Sequence, residues 1–141
     1  MLQFSKGKRP IIIQYSLDGN TSGANNIGIG KYTLTNNNSG GSNTALGYLS
    51  LSNATTGSRN TAIGAETMES ANVTGSYNTA LGSEAAKGLT SGGYNIAIGR
   101  AALQGTCTGN FNVAIGFQAL NGITSAAENI CIGREAGHDI S

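Results

Sequence analysis

Asn78-Thr79-Ala80-Leu81-Gly82 decides how this chain folds, because the same five-residue phrase returns at a nearly constant interval. The other copies begin at Asn26, Asn43, Asn60, Asn95, Asn112 and Asn129, and each closes on a glycine, from Gly30 to Gly133. Successive Asn positions differ by 17, 17, 18, 17, 17 and 17. A fixed period of this size is the signature of a stacked repeat, whose units are too small to bury an apolar face alone and bury it against their neighbours. The fold class that follows is mainly β, a parallel β-solenoid or β-roll of about seven 17-residue coils.

A phrase that enters from a turn and leaves through glycine is too short for a helix and long enough for a strand. Its second and fourth residues share one face, as Thr79 with Leu81 and Ile96 with Ile98; the other face carries Asn, then Ala, Gly or Cys, then Gly. This reading puts the Thr, Val, Leu and Ile face in the core and leaves the small face flat, for close approach of the return limb or of a neighbouring chain. Stacked in parallel, Asn26, Asn43, Asn60, Asn78, Asn95, Asn112 and Asn129 form a ladder whose amides satisfy one another along the stack.

The residues between phrases also fall into columns. Three positions before each Asn stand Gly23, Gly40, Gly57, Gly75, Gly92, Gly109 and finally Ala126, each preceded by Ser or Thr. This pair marks a turn in which glycine supplies a positive φ and the hydroxyl bonds the local backbone. After each phrase comes a small residue and then an apolar one, as Ser50-Leu51, Thr67-Met68 and Ala119-Leu120. The stretches 82–88 and 116–122 carry helix formers closed by glycine, so a short helical turn fits them as well as a second strand, and in both cases the Leu/Met column seals the coil. Residues 1–22 lie outside the period: Ile11 to Ser16 reads as a strand ending at the turn Asp18-Gly19-Asn20. They are assigned as a capping and connecting region, and 23–141 as the repeat solenoid.

Composition narrows function. With 22 glycines, one proline, no tryptophan, 11% charged residues and a net charge of +1, the chain offers no electrostatic footprint for nucleic acid or an anionic membrane. No apolar run approaches the roughly 20 residues of a membrane span. The opening residues do not read as a secretory signal, so a role outside a cell implies another route out, such as lysis. Cys107 and Cys131 stand 24 residues apart in different columns and read as free thiols, Cys131 a buried one. No metal-ligand spacing and no cofactor motif occurs.

Three sets of residues bear on chemistry. Glu66, Glu84 and Glu135 share a column, and adjacent carboxylates suit glycoside hydrolysis, but Tyr32, Leu49, Ala101 and Gln118 occupy the same column, which reads as a variable outer site. His138 reads as a surface residue, and the chain is not read as an enzyme. Tyr77, Tyr94 and Phe111 precede the Asn in three consecutive coils, with Arg59 one coil earlier. An exposed aromatic row can stack on sugar rings or simply shield the turn and fix the register.

The phrase, the Ala-Leu pair and the Ser/Thr-Gly turn, recurring in order from Ser22 to Ser141, resemble the repeats of phage and large-virus tail fibres that end in an endosialidase-type intramolecular chaperone. They more distantly resemble the head repeats of bacterial trimeric autotransporter adhesins. The stretch Gln14-Tyr15-Ser16-Leu17-Asp18-Gly19 is also similar to a short element of phage tail fibres. The resemblance implies a homotrimeric rod in a virion, touching other fibre or tail proteins and a host surface glycan or protein receptor. A bacterial surface adhesin is the alternative, and a polysaccharide-degrading tailspike segment comes third. No chaperone follows Ser141 and the last coil stops at Gly137-His138-Asp139-Ile140-Ser141, so the sequence is read as a fragment of a longer fibre, with Ser141 as the residue left after self-release of such a chaperone as the alternative. An acyltransferase-type β-helix fails for want of an aliphatic residue every six positions, and an ice-binding solenoid for want of an unbroken Thr rank.

Overall fold

The structure is a computed structural model that describes residues 13–70 and 72–138. Each phrase supplies one three-residue strand: β1 Ile27–Ile29, β2 Thr44–Leu46, β3 Thr61–Ile63, β4 Thr79–Leu81, β5 Ile96–Ile98, β6 Val113–Ile115 and β7 Ile130–Ile132. They form one parallel sheet in chain order, a β-solenoid whose register pairs like with like, as Thr79 with Ile96 and Ala80 with Ala97. The extra residue of the long repeat leaves this sheet undisturbed, since Thr61 still pairs with Thr79. It is absorbed in the return limb, where Ala54 and Val73 form an isolated bridge.

The core face is the reverse of the sequence expectation. Ala45, Ala62, Ala80, Ala97 and Ala114 are buried, whereas Leu46, Leu81 and Ile96 are exposed, Leu81 by 45%. The cause is steric. Leu34, Leu51, Met68, Leu103 and Leu120 of the return limb already fill the inside of the coil, leaving room on the strand side for a methyl group and no more. The flat face therefore meets the chain's own return limb, and the aliphatic face points outward.

No helix forms among the described residues, which corrects the helical-turn reading of 82–88 and 116–122. Left-handed residues alternate there: Glu84 has φ 60° and Ala86 φ 50°, as have Gln118 at 53° and Leu120 at 50°. An α-helix cannot run through residues of opposite hand. Instead, tight turns follow one another, with Ala85 N–H donating to Gly82 O at 3.2 Å and Lys87 N–H to Glu84 O at 3.2 Å. Each limb also bonds to the next coil, as Ala86 N–H does to Ala102 O at 2.8 Å.

Positive φ likewise falls at other glycines than expected. The closing glycines adopt it, Gly82 at 132°, but Gly40, Gly57, Gly75, Gly92 and Gly109 of the Ser/Thr-Gly turn do not. Those are glycine because the next coil passes so close that a Cβ on Gly92 would run into the carbonyl of Gly109.

The stack also extends N-terminal to the first phrase. Tyr15 and Leu17 are left-handed like Tyr32 and Leu34, and Leu17 N–H donates to Thr33 O at 3.0 Å as Leu34 N–H does to Ser50 O at 3.2 Å. Of the strand read over 11–16, residues 11 and 12 lie outside the described residues, and Ile13–Ser16 form no strand. No helix among the described residues is long and apolar enough to cross a membrane.

Candidate functional site

The Asn column is structural in every contact it makes. Asn43, Asn60, Asn78, Asn95 and Asn112 are buried, and each accepts on Oδ1 the backbone N–H of the next Asn, at 2.9–3.1 Å. Each donates Nδ2 to a turn carbonyl of the following coil, as Asn78 does to Gly92 O at 2.9 Å. Asn26 does the same for Asn43 at the start of the ladder, and Asn129 receives the last rung from Asn112. Asn carries its acceptor and its two donor hydrogens on separate atoms of one short side chain, which lets it bond the next Asn and the turn carbonyl together.

Tyr77, Tyr94 and Phe111 do form a row on the outside. Tyr77 and Tyr94 stack at 4.7 Å between centroids with planes 4° apart, and Tyr94 and Phe111 at 5.0 Å and 15°. Arg59 covers the free side of Tyr77, its guanidinium 5.2 Å from the ring and its Nη1 donating to the Tyr77 hydroxyl at 2.8 Å. All four residues are left-handed, which swings the side chains clear of the coil and over one another. The stacking follows from the near 4.8 Å repeat of parallel strands. It also commits the ring faces: Tyr94 is covered on both sides, so the row presents edges and hydroxyls to solvent.

The carboxylate column is held by partners. Glu66 accepts from Lys87 Nζ at 2.6 Å, and Glu84 accepts from Gln104 Nε2 at 2.9 Å. Lys87 also reaches Glu69 at 3.3 Å, and the hydrogen bond to Glu66 pushes its ammonium pKa up. Glu135 pairs with its neighbour Arg134 at 3.1 Å. Cys107 is buried, which raises its thiol pKa, while Cys131 is half-buried at the end of the stack; both are free. His138 is exposed.

A second aromatic cluster sits on the return limb of the first coils. Tyr15 stacks on Tyr32 at 5.3 Å, and Tyr32 meets Tyr48 at 6.3 Å with the rings turned 62° apart. The tilt opens a groove of about 300 Å³ lined by Tyr32, Tyr48, Asn36, Asn53, Ser52 and Glu69, together with Thr35 and Leu49. Along its polar wall Asn36 Nδ2 donates to Asn53 Oδ1 at 2.6 Å and Asn53 Nδ2 donates to Glu69 O at 3.2 Å. Sequence reasoning missed the groove. The available signal was the 17-residue spacing of Tyr15 from Tyr32, which places two rings in one column once the period is carried back past Gly23.

The described residues hold no group of three or more His, Cys, Asp and Glu side chains arranged for a metal. Compared with known proteins, the chain matches no family model, no curated protein and no solved structure.

Proposed function

We propose that the chain is a structural segment of a fibre of the viral tail-fibre type, assembled as a homotrimer and serving attachment to a host surface. The observation that carries this reading is the outward aliphatic face of the sheet. Ile29, Leu46, Leu81 and Ile132 fall in one register column along the stack and remain exposed on the single chain. Monomeric proteins rarely leave a continuous apolar stripe of that kind uncovered. Three parallel copies around one axis place equivalent residues at equal height and cover the stripe on all of them. The three-fold count comes from the resemblance to tail fibres, not from the stripe.

In this role the work is mechanical and multivalent. A seven-strand stack at about 4.8 Å per rung extends roughly 30 Å, and three weak surface contacts held on one rod reinforce one another through effective concentration. The row of Tyr77, Tyr94 and Phe111 suits glycan contact through the edges and hydroxyls of its tyrosines, since Tyr94 is stacked on both faces and Tyr77 lies between Arg59 and Tyr94. Sedimentation equilibrium tests the assembly. A homotrimer of the 14.2 kDa chain has three times that mass, about 43 kDa, and a stable folded species at 14.2 kDa would remove the reading.

A further inference from the structure

We infer that the groove between Tyr32 and Tyr48 is a binding site for one uncharged pyranose ring of a surface saccharide. The inference names a ligand class for the host-attachment reading and rests on it only for the biological source of the sugar.

A pyranose has an apolar C–H face and a rim of hydroxyls, so its site needs an open aromatic face beside donors and acceptors. Tyr48 supplies the first. Its one ring contact among the described residues is the edge-type meeting with Tyr32, whereas Tyr94 is sandwiched between Tyr77 and Phe111. The position above Tyr48 in the next coil is Ala65, too small to cover the ring.

The polar wall supplies the rest. Asn36 and Asn53 each spend one amide hydrogen on the next rung, which fixes both planes and leaves each a second N–H. Ser52 lines the same groove, is 3% exposed, and its hydroxyl has no hydrogen-bond partner among the described residues. Buried hydroxyls are ordinarily paired, so this one is an unused donor and acceptor at the wall of a groove already furnished for a polyol.

Charge selects the class of sugar. No Lys or Arg lines the groove; the Lys31 ammonium sits over the Tyr32 ring, 4.7 Å from its centroid, and Lys87 is shared between Glu66 and Glu69. The one charged side chain among the groove's lining residues is the Glu69 carboxylate, which repels a sialic or uronic acid. The volume of about 300 Å³ lies at the small end of the roughly 300–1,000 Å³ typical of ligand sites, which fits a single ring rather than a long chain.

Saturation-transfer NMR on the assembled protein tests this with methyl glycosides of glucose, galactose and N-acetylglucosamine, and with methyl glucuronide as the charged probe. At least one neutral glycoside should receive saturation on its ring protons, and the glucuronide none. Tyr48→Ala and Ser52→Ala should each weaken binding by about three- to tenfold, and Arg134→Ala, in the last coil of the stack, should leave it unchanged. Ser52→Ala should unfold no earlier than the parent protein, so its loss of binding cannot be a loss of fold. No transfer from any neutral glycoside, or equal binding by Tyr48→Ala and Ser52→Ala, overturns the site. Sedimentation of the same samples separates the two ideas: a trimer without glycoside binding sinks the groove alone, and a monomer that binds glycoside sinks the assembly alone.

Discussion

The side-chain oxygen of Asn78 accepts two hydrogens from Asn95, the backbone N–H at 2.9 Å and the side-chain amide at 3.1 Å. One atom thereby ties two coils together through main chain and side chain, in a place from which water is excluded.

Asn78→Ala strips both bonds and also leaves Gly92 O without the Asn78 amide that it accepts at 2.9 Å. Buried groups left unpaired cost more than the bonds themselves gained, so the loss of stability should be about 2–4 kcal/mol. Asn26→Ala, at the half-buried start of the ladder, should cost less. Urea unfolding of the two variants under identical conditions measures the difference, and equal losses would refute the ladder as a buried network.

Gly82 and Gln118 both have positive φ, so adding a side chain at the first and removing one at the second are expected to shift stability in opposite directions. At Gly82, φ is 132° and an added Cβ would lie 2.8 Å from both the carbonyl carbon and the oxygen of Gly99. Gly82→Ala should therefore cost about 3 kcal/mol. Gln118 is held at φ 53°, where only glycine is free of strain, so Gln118→Gly should gain up to about 1 kcal/mol. Thermal unfolding midpoints moving in opposite directions are the expected result.

Much of the stack was legible in the sequence, and what was not has a physical reason. The 17-residue step fixed strand positions, parallel order and the Asn ladder, because each depends on period alone. Alternation at Thr79, Ala80 and Leu81 says that two faces exist but not which is inner; that is decided by the volume Leu103 and its column leave inside the coil. Glu84, Tyr94 and Leu120 are not residues that favour left-handed backbone, and only repeated stacking on identical neighbours holds them there. The groove at Tyr48 depends on how its ring meets Tyr32 of the neighbouring column, at 62° between planes, and the period sets the columns but not that angle.

Cys107 and Cys131 should differ in reactivity. Burial keeps the Cys107 thiol protonated where an unfolded chain ionises, above about pH 8.5. The unfolded state then binds fewer protons than the folded one, so stability falls as pH rises through that range. Cys107→Ala should flatten this alkaline decline. With iodoacetamide on the native protein, mass spectrometry should find Cys131 modified first and Cys107 only on unfolding.

Leu81→Asp and Ala80→Leu, one residue apart, separate folding from assembly. Leu81 is 45% exposed on the single chain, so a carboxylate there leaves the coil intact and places like charges where three copies would meet. The expected product is a folded monomer of 14.2 kDa with the circular dichroism of the parent. Ala80 is fully buried against the return limb, and a leucine has no room inside a coil already filled by the Leu/Met column. Overpacking of that kind costs at least about 1–3 kcal/mol and should lower the unfolding midpoint whether or not copies associate. Were Leu81→Asp to unfold the chain while Ala80→Leu only dissociated it, the inner and outer faces would be those the bare alternation suggested, and the aliphatic stripe would no longer argue for a fibre.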